Sequence, residues 1–551
     1  MTAQSASSAA PQDAPIDALI VGAGHNGLVT AAYLARAGMR VLAVEKNDWV
    51  GGAAVSRQLD SEVTYSNCSY VCSLFRPEIM RDLELPRHGL QILPYEAGAV
   101  LKEDGDYLAM YRNHEVQRRE FARHSARDAE AYDRYARDIM RHCRFIRPLL
   151  MRAPADPVSL RPRDLGELAW MGRKMMELSE RQITEMVRFW TMSISDYLDE
   201  YFEKETIKAY LAVSAIIGTA LGPMSPGSAY VLLHHYMGDV DGNVGAWGYA
   251  RGGMGAITQA LRKSFEAAGG EVRTGKGVAR ILVEGGRTTG VELEDGEIIR
   301  AARVISGMDA KRTFLRTMDE GDLPEEFVRD IRRFKTRGSS GKLNIALDSA
   351  PVFPALPEGA PMLKGDLHFT DSIERMERAY DDWKDGRFSA DPFQDTMIPS
   401  MIDPTLAPPG KHFMSCFVQY APPKIGGGDW TDADRDAFGQ SVIDQIARFS
   451  PGFKDRVRHV EVRTPRELEA EVGLTEGNIF QGELTFDQML FNRPAPGWAQ
   501  YRSPVEDLWM CGSSTHPGGG VMGAPGRNAA AEILRAAKRS RGEMREAYDV
   551  L

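Results

Sequence analysis

Cysteine is scarce in this 551-residue sequence, which has only five, scattered along its length. So few cysteines cannot form a disulfide framework, and they predict a reducing compartment. Apolar runs are also short: none reaches the roughly 18 to 20 residues that a membrane-spanning helix needs, and the longest, residues 211–221, is interrupted by polar residues and a glycine. Residues 1–15 carry no basic residue and no apolar segment, which predicts a disordered tail rather than an export signal. We therefore expect a cytoplasmic protein.

Positive charge is in the minority. The chain has 67 Lys and Arg against 77 Asp and Glu, a net charge of −10, and repulsion from phosphate argues against a nucleic-acid partner. Apolar residues make up 43% and charged residues 26%, which is a globular composition and excludes wholesale disorder. The length exceeds what one hydrophobic core supports and predicts about two to four domains.

A nucleotide-binding pattern follows the tail. An apolar run at 18–21 predicts a buried strand, G-x-G-x-x-G follows at 22–27, and a helical stripe leads to a second apolar strand at 41–44. Such glycines permit a tight turn and close approach to a pyrophosphate, which the helix N-terminus faces. Glu45, after the second strand, can accept hydrogen bonds from ribose hydroxyls and would repel a 2′-phosphate, which disfavours NADP. The cofactor-binding residues predicted here are Gly22, Ala23, Gly24, Asn26, Gly27, Glu45 and Lys46.

A further pair of glycines favours FAD over NAD. Gly51 and Gly52 lie just beyond Glu45 and are followed by Ala53. A glycine pair lets the backbone pass close to the pyrophosphate or ribityl chain of a longer dinucleotide, for which an NAD domain has no evident need. We therefore predict FAD as the cofactor and assign Gly51, Gly52 and Ala53 to its site.

The C-terminal region contains a second strand, glycine-rich loop and helix in succession. A short apolar strand at 508–511 leads into a glycine-rich loop at 512–526, and a helix is predicted to begin near Arg527. The loop repeats G-x-G-x-x-G, but a proline separates it from the strand and too little chain remains for a second dinucleotide fold. We expect it to hold the ribityl and pyrimidine end of a flavin, with the helix dipole favouring negative charge on the reduced ring. The residues assigned to this contact are Gly512, Ser513, Gly520, Val521, Met522 and Gly523.

A third piece lies in the middle of the chain. A glycine-rich turn at 248–255 opens a predicted helix, and strand-like segments follow, including a hairpin at 290–299. Gly253, Met254 and Val278 are predicted to contact the cofactor.

The three pieces together predict a discontinuous nucleotide-binding domain. We expect its segments at 16–85, 245–310 and 485–551. A substrate-binding domain is predicted from residues 86–244 and 311–484, with a helical insert at about 111–210.

These motifs resemble those of the phytoene desaturase-related FAD oxidoreductases. The resemblance rests on VGAGHNGLVTAAYLARAGMRVLAVEKNDWVGGAAV, SPGSAYVLLHHYMGDVDGNVGAWGYARGGMGAI and LWMCGSSTHPGGGVMGAPGRNAA. It implies an α/β fold of the glutathione-reductase type, with a discontinuous Rossmann-like FAD-binding domain, an inserted α+β substrate domain and non-covalent FAD. Carotenoid desaturases of this family dehydrogenate long apolar chains and touch membranes peripherally, so peripheral membrane contact is a further expectation.

Within that family the sequence is most similar to a subgroup named for a pyridine nucleotide-disulfide oxidoreductase domain. A disulfide reductase needs paired cysteines near the flavin and a second nucleotide domain for NAD(P)H. Cys68 and Cys72 have three residues between them, which differs from such a motif, and no second nucleotide-binding unit is visible at 60–480. We expect these two thiols to be packed and unreactive.

Two compositional features bear on the substrate. Residues 111–152 contain 11 Arg, no Lys, and 6 Asp and Glu, which indicates either a solvated helix face with ion pairs or a contact for an anionic substrate or acidic lipid. The 25 methionines are compatible with ordinary core packing or with a plastic apolar cavity. With the family resemblance, an apolar tunnel is the hypothesis we carry forward.

Oxidation by a flavin also needs a group to take up a proton. His516 stands at the mouth of the C-terminal glycine loop, and one ring of the adjacent pair His234 and His235 is expected to face inward. We take His516 and His235 as the catalytic candidates. The spacing of His, Cys, Asp and Glu along the chain shows no metal-binding motif, so no metal is predicted.

Three functions remain open. The first is an FAD-dependent dehydrogenase or desaturase of an apolar, carotenoid- or lipid-like substrate that passes electrons to oxygen or a quinone, and we favour it. The second is an FAD amine or alcohol oxidase of a small substrate, and the third is a flavin-binding interaction protein without turnover. The oligomeric state is left open, with a homodimer as one alternative.

Overall fold

A computed structural model describes residues 15–240 and 242–541. The predicted tail, residues 1–15, lies outside the described residues except for its last residue. Strands β1 to β21 span, in chain order, Ala18–Val21, Val41–Val44, Ser56–Leu59, Val63–Ser66, Ile92–Pro94, Ala97–Leu101, Tyr107–Tyr111, Asp239–Val240, Asn243–Val244, Gly248–Ala250, Glu271–Arg273, Val278–Glu284, Arg287–Leu293, Ile298–Arg300, Val304–Ser306, Ser340–Leu347, Asp366–His368, Phe393–Met397, His412–Gln419, Val457–Arg463 and Leu508–Met510. Helices α1 to α16 span His25–Arg36, Pro77–Asp82, His114–His124, Ala126–Leu150, Pro162–Met176, Glu180–Thr191, Ile194–Asp199, Glu205–Ile216, Ser228–Tyr236, Gly255–Ala267, Glu325–Arg333, Ile373–Lys384, Asp432–Phe449, Phe453–Arg456, Pro465–Glu467 and Ala524–Arg541.

A five-stranded parallel sheet with the order β11-β2-β1-β15-β21 carries the nucleotide-binding motifs. All residues of β1, β2, β15 and β21 are buried, which explains why β1, β2 and β21 read as short unbroken apolar runs. Helix α1 packs against both α10 and α16, and all three helices pack on this sheet. Three distant stretches of sequence therefore build one sheet, as the expected discontinuous Rossmann-like fold requires. The domain boundaries themselves stay a prediction.

A seven-stranded sheet with the order β20-β16-β19-β18-β17-β6-β7 forms the second layer. One face packs on α13 through residues such as Leu343, Val418 and Phe438. The other face, which includes Phe393 and Phe417, packs against helices α4 and α6 to α9. Side chains alternate between the two faces along each strand, so the register of the strands decides which residues face the helices.

The helical layer covers the second sheet. Helices α8 and α9 are largely buried, whereas the only buried residue of α5 is Asp164. Within the described ranges, no helix has both the length and the apolar character needed to cross a membrane.

Candidate active site

The glycine-rich turn between β1 and α1 forms the floor of the candidate site. Gly22 has a φ of +93°, and its N–H donates to the carbonyl oxygen of Val44 at 2.8 Å. A Cβ on Gly27 would lie 2.2 Å from the carbonyl oxygen of Gly22, whereas a Cβ on Gly24 would meet no atom within 4 Å. Gly27 is therefore required for packing the helix on the turn, and the space beside Gly24 is left for a ligand.

Glu45 places a buried carboxylate at the end of β2. Its oxygens accept the backbone N–H of Ala23 at 3.0 Å and that of Asn47 at 3.1 Å. Burial raises the pKa of Glu45, and the two hydrogen bonds oppose the rise. The Nζ of neighbouring Lys46 donates to the carbonyl oxygen of Ala470 at 3.2 Å. The acidic group expected to meet a ribose is thus held rigidly at the edge of the turn.

A cavity of about 1110 Å³, including the space open at its mouth, lies beside this turn. Its walls contain many of the residues predicted to bind the cofactor, namely Gly22, Gly24, Asn26, Gly27, Glu45, Lys46, Gly52, Ala53, Val278 and Ser513. They also contain residues that the sequence analysis missed, including Lys276, Met308, Arg312, Arg316, Leu474 and Gln481.

Several polar atoms buried in the wall of this cavity have no hydrogen-bond partner within the described chain. They are His25 Nε2, Asn26 Oδ1, Arg312 Nε and Gln481 Oε1. Buried polar groups are normally paired, so these atoms mark places where a polar ligand belongs. The site fits an adenine dinucleotide such as FAD. It offers open space at Gly24 for a pyrophosphate, a carboxylate at Glu45 for a ribose, and the unpaired polar atoms named above.

The two ends of the fold meet at this cavity. The side-chain amide of Asn26 donates to Ser513 Oγ at 3.1 Å, and the hydroxyl of Thr30 donates to the carbonyl oxygen of Gly526 at 2.9 Å. Helix α16 begins at Ala524, three residues before the predicted start near Arg527. The loop that carries Gly512, Gly520, Val521, Met522 and Gly523 therefore ends at a helix N-terminus beside α1, and the assignment of these residues to FAD stays a prediction.

Arg493 fastens this loop and was not found in the sequence analysis. Its guanidinium is fully buried and donates to the carbonyl oxygens of Phe480, Gly482, Glu483, Gln488 and Ser513 at 2.8 to 3.3 Å. Burial lowers its pKa to about 9. An arginine in a polar loop carries no sequence signal for such a position, because the carbonyls that bind it come from separate turns.

The mid-chain glycine loop packs on the segment that follows Gly52. The N–H of Met254 donates to Ser66 Oγ at 2.9 Å, and the N–H of Gly255 donates to Ser56 Oγ at 3.0 Å. A Cβ on Gly253 would lie 2.4 Å from Ser56 Oγ. Gly253 and Met254 thus position the chain beside the cavity, and their predicted contact with the cofactor remains untested.

Lys342 is a second buried cation that the sequence analysis missed. It lies on β16, is 3% exposed, and its Nζ donates to the carbonyl oxygen of Ser66 at 2.6 Å. Burial lowers the pKa of Lys342 to about 7. The Lys342 side chain therefore joins the second sheet to the chain segment beside the cofactor cavity.

The lowered pKa of Lys342 predicts a pH-dependent stability. Between pH 7 and 10.5 the unfolded chain binds a proton that the folded chain does not. The free energy of unfolding of the wild-type protein therefore rises with pH over this range. We expect Lys342→Met to lack this rise, so that the free energy of unfolding of the variant minus that of wild type should fall with pH by up to about 1.4 kcal/mol per unit. Guanidinium denaturation from pH 7 to 10 measures it, with exposed Lys263→Met as the control; equal pH slopes for the two variants would contradict the prediction.

The two predicted catalytic histidines are buried and bonded to backbone. The Nε2 of His516 bonds the carbonyl oxygen of Leu149 at 2.9 Å, and the Nδ1 of His235 bonds that of Val231 at 3.2 Å. Burial lowers the pKa of both histidines to about 4. The neighbouring His234, not His235, reaches the C-terminal glycine loop, through Gly519. A catalytic role for His516 or His235 stays a prediction.

A buried cluster of three polar residues on the second sheet was not found from local sequence motifs. Asp366, His368 and Asp395 lie on β17 and β18 and place ligand-type atoms within 4.8 Å of one another. The Nε2 of His368 is 3.1 Å from Asp395 Oδ1 and 3.5 Å from Asp366 Oδ2. Spacing along the chain could not relate these residues, because strand pairing brings them together; that no metal binds stays a prediction.

All five cysteines are buried and unpaired. Burial raises the pKa of the Cys68 thiol, and it raises that of Cys72 to about 12. Thiols held in the neutral form are poor nucleophiles, so a dithiol role for Cys68 and Cys72 finds no support in their surroundings.

Comparison with known proteins agrees with this geometry. The sequence model of the flavin-containing amine oxidoreductase family matches residues 27–534. Pyridine nucleotide-disulfide oxidoreductase domain-containing protein 2 of Mus musculus is 39% identical over 543 residues, covering 94% of this chain and 93% of that protein. Phytoene desaturase (neurosporene-forming) of Cereibacter sphaeroides is 25% identical over 531 residues, covering 94% and 93%.

A solved structure is similar in fold. Putrescine oxidase bound to putrescine has a TM-score of 0.58 at 14% identity, over 95% of this chain and 99% of that chain. The expected Rossmann-like α/β fold class and the family resemblance are confirmed, and FAD is the cofactor.

Proposed function

Since this chain belongs to the flavin-containing amine oxidoreductase family, we propose that it is an FAD-dependent dehydrogenase of a substrate with a largely apolar body. FAD, once bound, supplies an acceptor for two electrons and a hydrogen. The turn at Gly24 would hold its phosphates and Glu45 its ribose. We propose oxygen or a quinone as the final electron acceptor.

The cofactor cavity carries the redox part of this proposal. The cavity is lined by buried polar atoms of His25, Asn26 and Gln481 that have no hydrogen-bond partner, and these lie beside the open space at the glycine turn. The apolar part is supported by the helical layer, whose buried residues, such as Phe189, Leu211 and Leu232, form one apolar cluster with residues of the second sheet. Apolar side chains there would exclude water from a substrate and strengthen polar interactions at its reacting end.

A second candidate is oxidation of an amine. Asp366 and Asp395 are buried carboxylates on the helical side of the second sheet, and such a pair attracts a substrate cation. Putrescine oxidase, whose structure was determined with putrescine bound, is similar to this chain in fold.

Anaerobic reduction of the bound flavin separates these functions. We expect the purified protein to be yellow and to lose its oxidised flavin absorbance with phytoene in detergent micelles, but only slowly with NADH. Reduction by putrescine and not by phytoene would assign the amine function. A flavin that no compound of either class reduces would leave a binding protein without turnover.

A further inference from the structure

A strap of residues 465–477 covers one side of the cofactor cavity. It follows β20, the last strand of the second sheet along the chain, and contains a short helical turn at Leu468–Val472. Residues 472–474 form part of the cavity wall. The strap thus belongs in sequence to the predicted substrate-binding domain, yet it borders the cavity that fits the cofactor.

The strap is bonded to the segment that follows Glu45. The Nζ of Lys46 donates to the carbonyl oxygen of Ala470 at 3.2 Å, as described above. The side-chain amide of Asn47 donates to the carbonyl oxygen of Glu471 at 3.3 Å. Because Glu45 is the acid expected to meet the ribose of an adenine dinucleotide, the strap lies at the adenosine end of the cavity.

The loop that follows β15 bonds the same strap from another wall of the cavity. Nη2 of Arg312 donates to the carbonyl oxygen of Glu469 at 3.4 Å, and Nη2 of Arg316 pairs with the Glu469 carboxylate at 2.7 Å. The buried carboxylate of Asp309 accepts the backbone N–H of Arg312 at 2.9 Å and the hydroxyl of Thr475 at 2.7 Å. One carboxylate therefore fixes both the turn that carries Arg312 and the end of the strap.

The guanidinium of Arg312 has no charge partner of its own. It lines the cavity, and neither Nε nor Nη1 bonds another described residue. No carboxylate of the described chain lies within ion-pair distance of it. The strap packs against this group, since a Cβ on Gly473 would lie 3.5 Å from Arg312 Nε. A cation with unused donors in a cavity wall is suited to an anionic oxygen of a ligand.

We propose that Arg312 binds the adenosine-side phosphate of FAD, and that the strap must open for the adenosine half of FAD to enter or leave. This inference needs FAD as the cofactor but not a particular substrate. The phosphate lies next to the ribose that Glu45 is expected to bind, and it supplies the negative charge that Arg312 lacks. Opening the strap requires breaking the bonds that Lys46, Arg312 and Arg316 make to residues 469–470.

FMN tests the role of Arg312, because it carries the flavin ring without the adenosine half. Protein stripped of flavin is titrated with FAD and with FMN, and binding is read from flavin fluorescence. We expect Arg312→Met to weaken FAD binding by about 10- to 100-fold and to leave FMN binding nearly unchanged. Arg312→Lys should recover part of the FAD affinity. Arg332→Met is the control, since Arg332 is 60% exposed and pairs with Glu320 on the surface, and it should match wild type for both flavins.

The kinetics of flavin exchange separate the contact of Arg312 from the opening of the strap. FAD release from the diluted holoprotein is timed by the rise in flavin fluorescence. Arg312→Met removes a contact of the bound state, so release should be at least about 10-fold faster with little change in association. Glu469→Ala keeps Arg312 but removes the carboxylate that binds Arg316 and the N–H of Glu476. Because the strap then opens more easily, this variant should speed both release and association.

Proteolysis reports the opening of the strap directly. A protease that cleaves after glutamate can cut the strap at Glu467, Glu469 and Glu471. In wild type we expect FAD and ADP to slow cleavage there and FMN to have little effect, because only the first two carry the adenosine half. In Arg312→Met, ADP should lose this protection.

Each part of the proposal can fail by itself. Equal losses of FAD and FMN affinity in Arg312→Met, or wild-type release of FAD from it, would refute the phosphate contact. Wild-type exchange rates in Glu469→Ala, or a strap that is cut equally fast with and without FAD, would refute the opening. None of these results depends on whether phytoene or putrescine reduces the flavin, so failure of the proposed function is recognised separately.

Discussion

Gly24→Val should give a folded protein without colour. A Cβ on Gly24 meets no protein atom within 4 Å, so the fold tolerates a side chain there, but the isopropyl group would occupy the space predicted for the pyrophosphate. We expect FAD binding to weaken at least about 100-fold, a loss of about 3 kcal/mol. The measurement is the ratio of flavin to protein absorbance after purification, with circular dichroism as the check on folding.

Gly172→Val is the matched control. A Cβ there also meets nothing within 4 Å, and the position lies on α5, away from the cofactor cavity. This variant should remain yellow. By contrast, Gly27→Val would force a Cβ to 2.2 Å from a backbone oxygen and should lose both fold and colour. A yellow Gly24→Val protein with full flavin content would contradict the placement of the pyrophosphate.

Arg493→Met is expected to produce the largest loss of stability. The guanidinium is 0% exposed, and its described hydrogen-bond partners are all backbone carbonyl oxygens. Methionine fills a similar volume but leaves those buried carbonyls without donors, which costs about 3 to 5 kcal/mol in the free energy of unfolding. Because Ser513 is among the partners, the C-terminal glycine loop should loosen and flavin should dissociate more easily.

Arg329→Met serves as the control for Arg493→Met. Arg329 is 52% exposed and pairs with Glu326 on the surface of α11, so its replacement should change stability by less than about 1 kcal/mol. Thermal unfolding and flavin release, followed together by fluorescence, compare the two variants. Equal midpoints for both would show that the carbonyl cage around Arg493 contributes little.

The elements of the cofactor site could be predicted where the signal is local. β1 and β2 begin and end at the predicted residues, since each is an unbroken apolar run bounded by a glycine turn or an acid. The hairpin at 290–299 corresponds to β13 and β14. The start of α16 was misplaced because Pro525 and Gly526 read as loop residues, although proline is well suited to the first turn of a helix.

The substrate side could not be predicted in the same way. Asp366 and His368 are two residues apart and so share one face of β17, but nothing along the chain relates them to Asp395 or to Tyr210. The contacts arise from strand pairing and from helix α8, which precedes β17 by over a hundred residues. Arg493 and Lys342 were missed for the same reason: their partners are backbone carbonyls that only the folded chain gathers.

The bond between Asn26 and Ser513 spans 487 positions of sequence. At synthesis rates of roughly 5 to 20 residues per second, about 25 to 100 s separate the appearance of these two residues at the ribosome. The N-terminal turn is thus among the earliest parts made, yet its partner loop emerges near the end of translation. The predicted contact of this loop with flavin can accordingly form only when the polypeptide is almost finished, and a message truncated before codon 513 encodes a chain that lacks the loop.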